Sequence, residues 1–151
     1  MKDYHNDIDT QVWKPFQEAF QNLDAEALNA IYAENVIRVT PDGIDTQGSF
    51  KLKNVERFKI YKAEGKTIAL DFWFDDRKTN ATTSYEVGFY RLVFTSSNGS
   101  TDSIYGQFHI VLKNTNGNWK ITQDWDTGTL NGSAITKEDF ERKTPLTFKF
   151  K

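Results

Sequence analysis

Past its midpoint the chain is strand after strand, and that succession constrains the fold more than any other feature. IALDFWFDD (68–76), YEVGFYRLVF (85–94), DSIYGQFHIVLKN (102–114) and NWKITQDWD (118–126) are rich in β-branched and aromatic residues. The loops between them, such as TSSNGSTD and NTNGN, have the composition of tight reversals, and short connections make consecutive strands antiparallel. Helical periodicity is confined to the chain before them. Val12, Trp13, Phe16, Phe20 and Leu23 recur at spacings of three and four after a cap at Asp9 or Thr10. Pro15 fits the first turn of that helix and would kink it further in. Asp24 caps a second helix over AEALNAIYAEN that buries Leu28, Ile31 and Tyr32. VIRVT then reads as a strand ending in the turn Pro41-Asp42-Gly43. Residues 50–64 read as a third helix, closed by Gly65, whose apolar positions Leu52, Val55, Phe58 and Tyr61 drift around the wheel. Helices segregated ahead of antiparallel strands define an α+β fold.

With 151 residues the chain suffices for one core, so residues 1–151 are expected to form a single domain. Its centre spans about 10–127, and 128–151 form an extension with a short helix at ITKEDFERK and no assigned role. Aromatic residues supply 15% of the chain, so a few large side chains carry much of the apolar area. The net charge is only -2 and the basic residues are scattered, which argues against a nucleic-acid partner. The absence of cysteine removes disulfides and thiolate metal sites. Two histidines without H-x-x-x-H spacing, and no glycine-rich phosphate loop, give no metal or cofactor to expect. No apolar run approaches the length of a membrane span, so a soluble, cytoplasmic protein with no membrane partner is expected.

One histidine stands inside the last hairpin. Asn116-Gly117 is the preferred pair for a two-residue type I′ turn, and counting outward from it sets His109 opposite Asp124 and Phe108 opposite Trp125. Alternation then gives an apolar face of Phe108, Ile110, Leu112, Trp119, Ile121 and Trp125, and a polar face that includes Gln107, His109, Asp124 and Asp126. A carboxylate across from an imidazole orients its tautomer and raises its pKa. Two readings are open: an ordinary polar pair on a solvated face, or a working pair inside an enclosure. The preceding strand favours enclosure, because Val87, Phe89 and Val93 on one side and Tyr90, Leu92 and Phe94 on the other are all large. Arg38 shares a face with Thr40 and either receives an anionic ligand group or pairs with Asp124 or Asp126. Trp13, Phe16, Tyr32 and Tyr90 are cavity-wall candidates, with plain core packing as the alternative.

Together, VWKPFQEAFQNLDAEALNAIYAENVIRVTPDG and GQFHIVLKNTNGNWKITQDWD resemble the nuclear transport factor 2-like superfamily, and within it the SnoaL-like group, over roughly residues 10–127. The resemblance implies three N-terminal helices packed in a strongly curved antiparallel sheet that forms a conical cavity for a small organic molecule. It also implies a homodimer through the sheet. Members of that superfamily range from isomerases and cyclases to inert binding modules. At the positions matching the ketosteroid isomerases' tyrosine, oxyanion aspartate and base, this chain has Phe16, His109 and Thr40. Phenylalanine donates no hydrogen bond and threonine is no base at neutral pH, which argues against that reaction. The polyketide cyclases are similar in another way, with an acid/base aspartate on the last strand and a histidine beside it, places close to Asp124 and His109. The expectation is therefore acid–base catalysis of an isomerase, cyclase or lyase type, with a non-catalytic binding module or a structural dimerisation domain as the alternatives.

Overall fold

The computed structural model describes residues 2–146 and 148. Met1, Thr147 and 149–151, the ends of the expected domain and of its extension, lie outside the described residues.

The first helical segment starts earlier than its periodicity suggests. Helix α1 (Tyr4–Ile8) is capped by the Asp3 carboxylate, a π-helical turn follows over Asp9–Trp13, and α2 (Lys14–Asn22) completes the run. Pro15 is thus interior. It has no N–H for the carbonyl one turn back, and the wider turn just before it, with Lys14 N–H reaching the Asp9 carbonyl, absorbs the defect. Leu23 adopts the left-handed conformation (φ 51°) and ends α2. Asp24 caps the short α3 (Ala25–Asn29), accepting from the Ala27 N–H at 3.0 Å. The second helix is shorter than expected, because Tyr32 belongs to strand β1 (Tyr32–Thr40). Pro41 and Asp42 turn the chain into β2 (Gly43–Asp45).

Helix α4 (Ser49–Ala63) follows, with Gly65 in the left-handed region just after it. Its buried face is not the expected stripe: Phe50, Asn54 and Phe58, spaced by four, are buried, whereas Leu52 is 65% exposed and Val55 also faces out. The four long strands are β3 (Thr67–Thr79), β4 (Thr83–Thr95), β5 (Thr101–Thr115) and β6 (Asn118–Thr127). The sheet order is β2-β1-β6-β5-β4-β3, and one pair, β1 with β6, is parallel. A minor hairpin, β7 (Thr129–Leu130) and β8 (Ser133–Ala134), leads to α5 (Lys137–Phe140), which a Thr136/Asp139 capping box starts.

The open sheet is curved and covered on both sides. Against its concave face the helices pack Ile8, Val12, Trp13, Phe20, Leu28 and Phe58 onto Phe72, Phe108, Ile110, Leu112 and Ile121. On the convex face Ile135 and Phe140 cover Trp73 and Phe89, and the Trp73 indole N–H donates to the Phe140 carbonyl at 2.7 Å. The strand expected to be buried on both sides is β4, and its outer cover is the chain's own C-terminal segment.

Candidate functional site

Strand β6 decides which side chains face the concave pocket. Val111 pairs with Gln123 but Leu112 pairs with Ile121, so Thr122 is an extra residue, a bulge whose hydroxyl donates to the Val111 carbonyl at 3.2 Å. Beyond it every side chain changes face relative to a straight count from the Asn-Gly turn. His109 lies opposite Trp125 and Asp124 opposite Ile110, which corrects the expected His109–Asp124 pair. Trp125 turns outward and is 52% exposed, while Asp124 turns inward and is 4% exposed. The His109 imidazole sits on the convex face, with Nδ1 2.6 Å from the Tyr85 hydroxyl.

The inward carboxylates have built surroundings. Parallel pairing places Arg38 beside Asp124, and Asp126 follows two residues on along the same face. The Arg38 Nε is 3.9 Å from Asp124 Oδ2, and its Nη2 donates to Asp126 Oδ2 at 3.3 Å. The Tyr32 hydroxyl donates to Asp124 Oδ2 at 3.2 Å, and the Tyr90 hydroxyl faces Asp126. Tyr90 reaches across the sheet because its cross-strand partner is Gly106. A Cβ at that position would lie 2.3 Å from the Tyr90 ring and hydroxyl, so only glycine leaves room for the ring.

Burial, and next to it the Asp126 charge, pushes the Asp124 carboxyl up to about 7. Asp126 is raised as well, again by burial, against the pull of Arg38 and Tyr90. Burial and the nearby Asp124 charge keep Tyr32 neutral, well above the ordinary phenol range. Among the described residues, Asp124 Oδ1, Asp126 Oδ1 and Arg38 Nε are buried without a hydrogen-bond partner. That leaves acceptor and donor capacity in a region walled off from water.

These groups form one wall of a cavity of about 280 Å³ on the concave face, whose other walls are mostly aromatic and aliphatic. Trp13, Phe16, Tyr32, Arg38, Tyr90, Asp124 and Asp126 all line it. Thr40 instead lines two other, more open grooves, and Gln107 is paired with Phe89 and Thr127 on the convex face, so neither lines the cavity. Helix α4 adds Asn54 and Arg57, which the sequence reading passed over. Their signal was the drift of the α4 pattern, since the spacing by four of Phe50, Asn54 and Phe58 puts polar residues on the inward side. Beyond the Trp13 side chain lies a separate buried network. Its indole N–H donates to Glu86 at 3.4 Å, and Glu86 is held by Arg77, which also binds Asp9 at 2.7 Å. Among the described residues no three His, Cys, Asp or Glu side chains are grouped to hold a metal ion. None of the described helices is long and apolar enough to cross a membrane.

No family model and no curated protein matches the sequence. Solved structures do match in shape. The chain is similar to an NTF2-like protein of unknown function from Shewanella oneidensis MR-1, at 20% identity and TM-score 0.67 over 83% of this chain and 99% of that one. It is similar to a domain of unknown function with a cystatin-like fold from Nostoc punctiforme PCC 73102, at 14% identity and TM-score 0.65 over 85% and 78%. A ketosteroid isomerase-like protein from Erwinia carotovora atroseptica SCRI1043 matches at 14% identity and TM-score 0.57 over 81% and 96%. At these identities the likeness is one of fold: the chain has the NTF2-like, cystatin-like α+β architecture, an open curved sheet around a few helices.

Proposed function

We propose that the concave cavity binds a small organic molecule and that Asp124 moves a proton on it, at a carbon next to a carbonyl. The observation that carries this reading is the Asp124 carboxyl itself. It is buried on the cavity wall with Oδ1 free and is pushed up to about 7, so both of its protonation states are populated at neutral pH. The Arg38 Nε–H, buried without a hydrogen-bond partner beside Asp124, supplies a donor for the carbonyl oxygen as charge builds there. Tyr32, Asp126 and Tyr90 position these two groups through the contacts given above. At about 280 Å³ the cavity suits a ligand of one or two rings, near the lower end of ligand-site volumes.

The test is deuterium uptake in heavy water, followed by NMR, at the α-carbons of a panel of small aryl ketones and 1,3-dicarbonyls. Exchange catalysed by the wild-type protein and slowed roughly 10²- to 10⁴-fold by Asp124→Asn is the expected result. Compounds that bind without exchange would leave a binding module in place of an enzyme. The homodimer is part of the same proposal. The C-terminal segment leaves one part of the convex face open, where Trp125 and Ile44, 69% exposed, share a cross-strand row with Val39 and His109. Sedimentation should show a dimer that Trp125→Glu converts to monomer.

A further inference from the structure

Arg57 is a guanidinium on the cavity wall for which the proton-transfer chemistry has no use. Its Nη2 donates to Asn54 Oδ1 at 3.1 Å, and Asn54 is itself fixed by donating to Asn29 Oδ1 at 3.0 Å. The guanidinium carbon lies 5.2 Å from the Phe58 ring centroid and 5.9 Å from that of Phe20, so aromatic faces hold the fork in place. Its Nε is buried with no hydrogen-bond partner among the described residues. Arg38, Arg77 and Arg91 each contact carboxylates, whereas Arg57 contacts none among the described residues. The charged or ionisable groups around it are Tyr61, Tyr32 and the like-charged Arg38. A partly buried cation without a counter-ion is costly to keep, and a fork oriented by side-chain contacts is ready for a planar anion.

We infer that Arg57, steadied by Asn54, Phe20 and Phe58, is an anion subsite and that the molecule taken by the cavity is an apolar, ring-bearing monocarboxylate. This rests on the ligand-binding reading above and adds the class of ligand. One free positive charge calls for one negative charge. A doubly charged phosphate would also meet Asp124 and Asp126 across the same cavity, which favours the carboxylate. The aromatic walls receive the ring, and the carboxylate oxygens accept from Arg57.

The probes are trans-cinnamate and indole-3-acetate, each compared with its primary amide by calorimetry and ligand-observed NMR. Wild-type protein is expected to bind each acid at least about tenfold more tightly than the amide of the same shape. Arg57→Gln should reduce that preference to within about threefold while leaving amide binding unchanged. Arg57→Lys, which keeps the charge and loses the fork, should fall between them. Amides that bind as tightly as acids, or a preference that survives Arg57→Gln, would overturn the anion subsite and leave the cavity reading intact. Binding of neither class would sink both. Should Arg57→Gln fail to fold, the acid-to-amide ratio in the wild-type and Arg57→Lys proteins decides.

Discussion

Asp124 holds the site together and also costs the fold stability. Its carboxyl is pushed up to about 7 in the folded chain and is near 4 when unfolded, so between these values the native state holds a proton that the unfolded state has released. The contribution of this group to stability is therefore greatest below pH 4, declines as pH rises towards 7, and is flat above; Asp126, raised in the same direction, adds to the slope, while Asp45, held low by backbone N–H donors, acts in the opposite sense. Asp124→Asn keeps an acceptor for Tyr32 and removes the titration. Its melting temperature should gain on that of the wild type from pH 5 to pH 8, by an amount worth roughly a few kcal/mol. Parallel curves across that range would mean Asp124 titrates as an ordinary surface acid. Gly106 works at the same scale through Tyr90. Gly106→Ala forces the ring to move and should cost about 1–3 kcal/mol, whereas in a Tyr90→Ala background the same change should cost almost nothing. Additive costs in that double-mutant cycle, measured by urea unfolding, would remove Gly106 from the site.

The bulge at Thr122 is the element on which the cavity depends, and tryptophan packing tests it. Trp119 lies before the bulge and faces the core, while Trp125 lies after it and faces out. Trp119→Ala should cost about 3–5 kcal/mol and Trp125→Ala less than about 1, measured on dilute protein. A straight strand would put both indoles inside with similar costs. The sequence showed the four long strands, the hairpin at Asn116-Gly117 and the capped helix after Asp24, because each rests on local chemistry with a short-range signature. It did not show the face on which Asp124 lies, since an added residue reverses everything downstream and leaves almost no local mark. The one hint was Gln123, which a straight count places in an otherwise apolar row between Ile121 and Trp125. Outside the bulge that residue is exposed, and Asp124 takes the inward place. The same limit hid Arg57, because the orientation of α4 depends on packing against α2 and α3 rather than on its own weakly amphipathic pattern.

At the scale of the whole molecule, one sheet separates two interiors. The concave side holds the large core and the cavity, and the convex side a small aromatic cluster built by residues beyond Gly128. Strands β3 and β4 alternate between the two, so Trp73 and Phe89 would face water if the C-terminal segment were elsewhere. Phe140 is the cover, 1% exposed, with Arg91 4.9 Å from its ring centroid, while Arg142 lies over the Trp73 and Phe89 rings. Further along, the same segment turns to the large core, where the Leu146 N–H donates to the Phe72 carbonyl at 2.9 Å and the Phe148 ring lies 5.9 Å from that of Phe72. Phe140 itself is a cap, and its contribution belongs to stability more than to the cavity on the other side of the sheet. Phe140→Ala should therefore lower unfolding free energy by about 3–5 kcal/mol, the usual cost of emptying a buried aromatic site. Affinity for the cinnamate probe at a temperature where the variant is fully folded should stay within about twofold of the wild type. A large loss of affinity with little loss of stability would instead mean that the two faces are coupled through β4, and that the extension regulates the cavity rather than covering the sheet.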